Sequence, residues 1–327
     1  MTEAHNDITV RGISRAADLL RKWGLLLVVV LLVIIFGILE SSFLIRDNII
    51  NILRQTAIMG ILAVGLTFVV VTGEMDLSFS MTSSLCAVLM LFLCLRQTNV
   101  PLSWLIMFAL GIIIGLFNGF IVVKAKIPSL LGTIGSQLVL SGIVAWIARG
   151  ATIWTAKYTP LFVMPGRGIV FGFIPVPVII LLVVSLISLV ILEKTVLGRY
   201  FYAVGGNARA ADHAGINTKK MKVIAFVFMG LLASLAGIVI AAQFVSATPA
   251  VGASYLFPAI IAVFLGSIFL KDGVPNLYGT IVAALFLSVL SNGFNLIGLR
   301  SWHLSLAQGL IMLLAIGIQN LSKQKRG

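Results

Sequence analysis

The sequence predicts an all-α, polytopic membrane protein of about ten transmembrane helices, or eight full spans with two half-helices, with both termini in the cytoplasm. Three observations predict it. Hydrophobic residues make up 60% of the 327 and charged residues 10%, against about 45–50% and about 25% in soluble domains, so the chain lacks the polar surface to cover a globule. The apolar residues gather in ten runs, most of them near the roughly 20 residues that cross a bilayer. The basic residues are concentrated in alternate connections. Long, uniformly apolar runs call for helices, because a membrane barrel would show alternating strands of about ten residues. A soluble enzyme, a disordered chain and a large extramembrane domain are excluded.

The elements follow in order. Residues 1–22 are polar and form a cytoplasmic segment; the single transmembrane domain then covers 23–321, and 322–327 is a basic tail. Span 1 is Gly24–Leu39, read as a retained helix because no small-residue cleavage site follows it. Glu40–Gln55 is polar and partly amphipathic. Span 2, Thr56–Thr72, is divided from span 3, Phe79–Leu95, by the short polar break Gly73–Ser78. Span 4 is Leu102–Val123 and span 5 Ser129–Ala148. Arg149–Gly172 reads as a loop rich in Gly, Pro and aromatics, before span 6, Phe173–Leu192. The longest polar stretch is Glu193–Lys222. Span 7 is Val223–Val245, a small-residue linker occupies Ser246–Ser254, and span 8 is Tyr255–Leu270. Lys271–Gly273 is a tight turn, span 9 is Leu277–Leu299 and span 10 is Leu304–Leu321.

Charge sets the orientation. With the N-terminus in the cytoplasm and ten alternating spans, 16 of the 23 Lys and Arg residues are cytoplasmic; the other side keeps Arg46, Arg54, Arg96, Arg149, Lys157, Arg167 and Arg300. The net charge of +13 is therefore topological, by the positive-inside rule, and does not call for nucleic acid. Cys86 and Cys94 lie in one apolar run and read as packing residues. The sequence has no G-x-x-x-x-G-K-[ST] phosphate loop, no H-E-x-x-H and no G-x-S-x-G. His5, His213 and His303 are too dispersed to suggest a metal cluster.

Polar residues within the apolar frame are the candidates for function. Glu74 and Asp76 are the one close acidic pair. Asp76 and Ser78 can cap span 3, whose first N–H groups lack helical partners; alternatively the break is a discontinuous helix whose carboxylates face a cavity. Gly111, Gly115 and Gly119 recur every fourth residue in span 4, a pattern for close helix approach. Asn118, Gln137, Gln243, Asn292, Asn295 and Gln308 each need a partner or a wet lumen in hydrocarbon; together they suggest a path for a neutral polyhydroxylated solute. Within Glu193–Lys222, the segment Arg209–Ala214 favours helix, Gly205–Gly206 breaks the chain before it and Gly215 can end it. This reads either as a solvated loop or as a docking helix for a cytoplasmic partner.

Four segments carry a family resemblance. Gly198–Ile216, which contains AVGGNARAADHAGI, resembles the cytoplasmic signature of ribose-type monosaccharide ABC transporter permeases; Gly73–Ser78 (GEMDLS), Ile127–Gly135 (IPSLLGTIG) and Asn292–Gly298 (NGFNLIG) resemble further motifs of that family, in the same order. The resemblance implies a permease subunit of the inner membrane that pairs with a second permease subunit, as a homodimer, and with ABC ATPase subunits, and receives its solute from a periplasmic solute-binding protein. It implies no cofactor in this chain, ATP being held by the partner ATPase. By position, Arg199, Gly205, Gly206, Asn207, Arg209, Ala210, Ala211, Ala214 and Gly215 would form the ATPase-coupling helix, and Glu74, Asp76, Ser78, Asn118, Gln137, Asn292 and Asn295 are the translocation-pathway candidates. Two departures stand out: Ser80 replaces a usual Gly, and Leu265–Asn276 reads LGSIFLKDGVPN where the family is glycine-rich. The resemblance leaves open another solute of the same superfamily: a nucleoside, a furanone or a branched-chain amino acid. The residues alone also leave open an ion-coupled secondary transporter, with Glu74 or Asp76 as its coupling carboxylate.

Overall fold

The computed structural model describes residues 23–268 and 273–324, with side chains through residue 317. The basic residues of the N-terminal segment and of the Lys271–Asp272 turn lie outside these. Ten apolar helices form the body: α1 (Trp23–Leu39), α2 (Arg46–Val71), α3 (Phe79–Leu95), α4 (Val100–Val123), α5 (Ser129–Ala148), α7 (Val176–Leu189), α10 (Thr218–Phe244), α11 (Leu256–Ile268), α12 (Leu277–Leu296) and α13 (Ser301–Gln324). Among the described residues, seven are long and apolar enough to cross a membrane, α7 with the π-helical turn Val190–Lys194 that continues it and α11 with the 3-10 turn that precedes it, and three more are shorter and apolar. Three short helices lie between them: α6 (Pro160–Arg167), α8 (Val196–Gly206) and α9 (Ala208–His213).

The bundle has two ends. At one, α8 and α9 make an elbow. At the other, two small antiparallel pairings join β1 (Ile153–Trp154) to β4 (Ser246–Ala247), and β2 (Ile169–Val170) to β3 (Ile174–Pro175). The connection Arg149–Gly172 is therefore more structured than a loop. Thr159 caps α6 by accepting the Phe162 N–H, and Arg167 Nε donates to the Gln243 carbonyl at 2.7 Å, fastening α6 to the end of α10. The polar tail after span 1 is also corrected: α2 begins at Arg46, ten residues earlier than the apolar run. Ile50 and Ile52 bury there while Arg46 and Arg54 reach the carbonyls of Gly172 and Arg167, and Asp47 complements the helix N-terminus.

Helix α2 is the axis. It packs against α10, α12, α7 and α11, and its residues from Thr56 to Val69 are all buried. The second seam joins α4 to α10. A Cβ on Gly111 would overlap the Gly230 carbonyl oxygen, and one on Gly115 would stand 2.5 Å from that of Phe226. The four-residue glycine spacing thus serves backbone contact, the form of helix association open to a medium as apolar as the side chains. At the α12 entry, Asn276 accepts the Gly279 N–H as N-cap, and Gly266 of α11 lies against Gly279.

Candidate functional site

The break Gly73–Ser78 is not helical: Gly73 turns the chain at φ +83, and the backbone donors of Met75 and Leu77 are satisfied by side chains from another helix. Met75 N–H donates to Ser129 Oγ at 3.1 Å and Leu77 N–H to Thr133 Oγ1 at 3.1 Å. These hydroxyls sit one turn apart on α5, so two sequence motifs are docked on each other. Buried N–H groups in hydrocarbon require such partners. Asp76 is 2% exposed. Its Oδ1 accepts both the Ser78 N–H at 2.8 Å and the Ser78 hydroxyl at 2.7 Å. Asn118 Nδ2 then donates to Ser78 Oγ at 2.7 Å. Ser78 makes no capping bond of its own to the α3 backbone; it is the bridge between Asp76 and Asn118. Asn118 lies five residues inside the end of α4, about 7 Å along the axis, so α3 starts below that end rather than level with it. Its first two turns are rich in buried hydroxyls, Ser80, Thr82, Ser83 and Ser84, and Ser84 Oγ accepts the N–H of Gly252 at 2.9 Å from the 3-10 turn before α11.

The elbow lies directly against the start of this break. Gly205 and Gly206 do not interrupt the chain; they are the last residues of α8. A Cβ on Gly205 would overlap the Val71 carbonyl oxygen at the end of α2, and Gly73 faces Gly205 in turn. Gly205 is therefore small because α2 needs the space. Gly206 faces open space. The division between the two helices is Asn207, whose Oδ1 accepts the Ala210 N–H at 3.0 Å. Helix α9 runs only to His213, and Gly215 then turns the chain at φ +82. Ala211 is buried against the body, while Arg209, Ala210, Asp212, His213, Ala214 and Gly215 are exposed. Arg199 is exposed on α8.

Two further ties hold this region, one joining the break to α10 and the other joining the elbow to the entry of α12. Lys222, in the first turns of α10, is paired with Glu74. The Tyr202 hydroxyl of α8 donates to the Pro275 carbonyl at 3.1 Å, just before α12. Burial, reinforced by the Glu193 carboxylate, pushes the Tyr202 phenol up to about 12, so it remains a donor. Helix α8 thus rests on the end of α2, reaches the entry of α12 and packs against α10.

The other amides do not join this network. Asn292 exchanges hydrogen bonds with Asn48, at 2.8 and 3.0 Å, at the opposite end. Asn295 is exposed near it, and Gln137 is half-buried on α5. The structure therefore brings together Glu74, Asp76, Ser78, Asn118 and the elbow, and leaves Gln137, Asn292 and Asn295 apart. Sequence reasoning missed Ser129, Thr133, Tyr202 and Lys222 as members. The i, i+4 pair Ser129/Thr133 opening an apolar helix was the readable signal; Tyr202 and Lys222 carried none.

Residues 48–316 match the family model described as branched-chain amino acid transport system / permease component. The chain is 34% identical to the ribose import permease protein of Haemophilus influenzae over 91% of this chain and 92% of the relative. It is 36% identical to that of Escherichia coli K12 over 90% and 92%, and 28% identical to the xylose transport system permease protein of Haemophilus influenzae over 88% and 92%. No solved structure matches the chain.

Proposed function

The chain belongs to the branched-chain amino acid transport system / permease component family, and on that premise we propose that this multi-pass inner-membrane permease is the translocating subunit of an ATP-driven monosaccharide importer. Two copies would pair in the membrane. ATPase subunits would seat on α8–α9, at the cytoplasmic end, and hold the ATP; a periplasmic solute-binding protein would deliver the sugar to the end carrying the β pairings. The ribose and xylose names of the relatives support a monosaccharide over the other solutes of the superfamily.

The observation that carries the coupling role is the seat of Gly205 on the end of α2. It abuts the break Gly73–Ser78, so displacement of α9 would be transmitted to the Asp76–Ser78–Asn118 chain at the base of α3. The exposed residues Arg209, Ala210, Ala214 and Gly215 form the surface a partner can grip. Glu74 is paired with Lys222 and Asp76 is engaged by Ser78, which favours this reading over an ion-coupled carrier needing a free carboxylate.

The test is uptake in liposomes containing permease, ATPase and binding protein. Gly215→Trp, or deletion of Ala210–Gly215, is expected to leave the permease folded and ATP hydrolysis running while sugar uptake is lost. Normal uptake by these variants would remove the docking role. Uptake that persists without ATP and collapses with an ionophore would remove the ATP-driven reading itself. Asp76→Ala is expected to impair uptake more than Asp272→Ala; equal, mild effects would leave Asp76 with a capping role alone.

A further inference from the structure

The groove where α4 meets α10, at the elbow end, has a composition that neither helix packing nor coupling uses. It is an open groove with a volume of about 620 Å³. It is lined by apolar side chains, among them Phe117, Phe120 and Val223, and by Lys124, Lys219 and Lys220. Phe117 and Phe120 are 54% and 58% exposed, one turn apart on the outer face of α4. No carboxylate lines the groove among the described residues; Glu74, in the adjacent pocket, is paired with Lys222. Lys124 is the C-cap of α4, where a cation suits the helix end. Lys219 and Lys220 lie in the first turn of α10, where the macrodipole disfavours them. Three lysines lining one groove, two of them misplaced for their own helix, beside an apolar wall where the spans end, match a headgroup phosphate with an acyl chain beneath it.

We infer that this groove holds an anionic phospholipid of the bilayer, its phosphate at Lys124, Lys219 and Lys220 and one acyl chain along Phe117 and Phe120. The site stands on its own groove and charges and does not depend on the transported solute. It can be tested on the full chain in detergent by native mass spectrometry with equimolar dioleoylphosphatidylglycerol and dioleoylphosphatidylethanolamine, which differ only in headgroup. The phosphatidylglycerol adduct is expected to dominate by about tenfold or more, and each of Lys124→Gln, Lys219→Gln and Lys220→Gln to lower that preference by up to about fivefold. Lys126→Gln, in the adjacent pocket, should leave it unchanged. Phe117→Ala with Phe120→Ala should reduce binding of both lipids.

Equal binding of the two lipids by the wild-type chain would overturn the inference. So would undiminished preference in the three lysine variants, or an equal loss in Lys126→Gln, which would mean diffuse surface charge. Displacement of the lipid by millimolar inorganic phosphate would reassign the lysines to a plain anion site. Displacement on addition of the ATPase subunit would reassign them to a protein partner.

Discussion

The most apolar 18-residue stretches of α2 and α5 have nearly the same mean hydropathy, yet 83% of that of α2 is buried in the protein and 22% of that of α5. In water such a difference would be written in the amphipathic pattern. In a bilayer it is not, because lipid tails are as apolar as leucine and no hydrophobic force separates the inner from the outer face. What differs is the company kept by small and hydroxylated residues. A Cβ on Gly65 of α2 would meet Leu232 and Met229 at 3.1 Å, whereas one on Gly135 or Gly142 of α5 would face open space. On α5, the stripe Ser129, Gly132, Thr133, Ser136, Leu140, Val144 and Ala148 turns inward, and Leu131, Leu138 and Trp146 turn out.

This contrast can be broken by substitution, with thermal unfolding in detergent as the readout. The largest effect is expected for Leu62→Ala on α2, a fully buried side chain, at about 2–5 kcal/mol. The same change at Leu138, 69% exposed on α5, should stay within about 0.5 kcal/mol. Similar losses at both sites would mean that α5 is covered as fully as α2. Next comes Gly205→Ala, which forces a methyl group against the end of α2 and should cost about 3 kcal/mol, while Gly206→Ala, facing open space, should not destabilise. Thr133→Val strips the Leu77 N–H of its acceptor and should cost about 1–3 kcal/mol, showing that the inner stripe of α5 matters where its outer face does not. The Asn48–Asn292 pair should be worth only about 0.6 kcal/mol in a double-mutant cycle, the average for interhelical hydrogen bonds in a membrane.

The smallest effect is the most informative about what covers α5. Gly142→Leu should leave the unfolding midpoint of a monomer unchanged, because nothing lies within 4 Å of that position. If it instead shifts the chain from dimer to monomer on size exclusion, the outer face of α5 belongs to a second copy rather than to lipid.

Much of the site was legible before the fold. The break Gly73–Ser78 stood out because two carboxylates between apolar runs cannot be left without partners, and Gly111, Gly115 and Gly119 announced a backbone contact by spacing alone. The helical potential of Arg209–Ala214 and the turn at Gly215 followed from local propensity. Gly205 was misread as a breaker because its smallness answers to Val71, more than a hundred residues away. Sequence separation likewise hid Tyr202 and Lys222, whose partners Pro275 and Glu74 lie on other elements.

By itself the sequence determined the medium, the set of apolar helices and the places where polar backbone would need help, because those depend on local composition and on the thickness of a bilayer. Only the tertiary structure decided that α2 is the axis, that Asp76, Ser78 and Asn118 form one chain of hydrogen bonds, and that the elbow rests on the end of α2. Hydrocarbon accepts an apolar side chain as readily as a protein interior does, so burial in this molecule is settled by which backbones can touch and which hydroxyls can reach, and those are properties of pairs of helices rather than of any one of them.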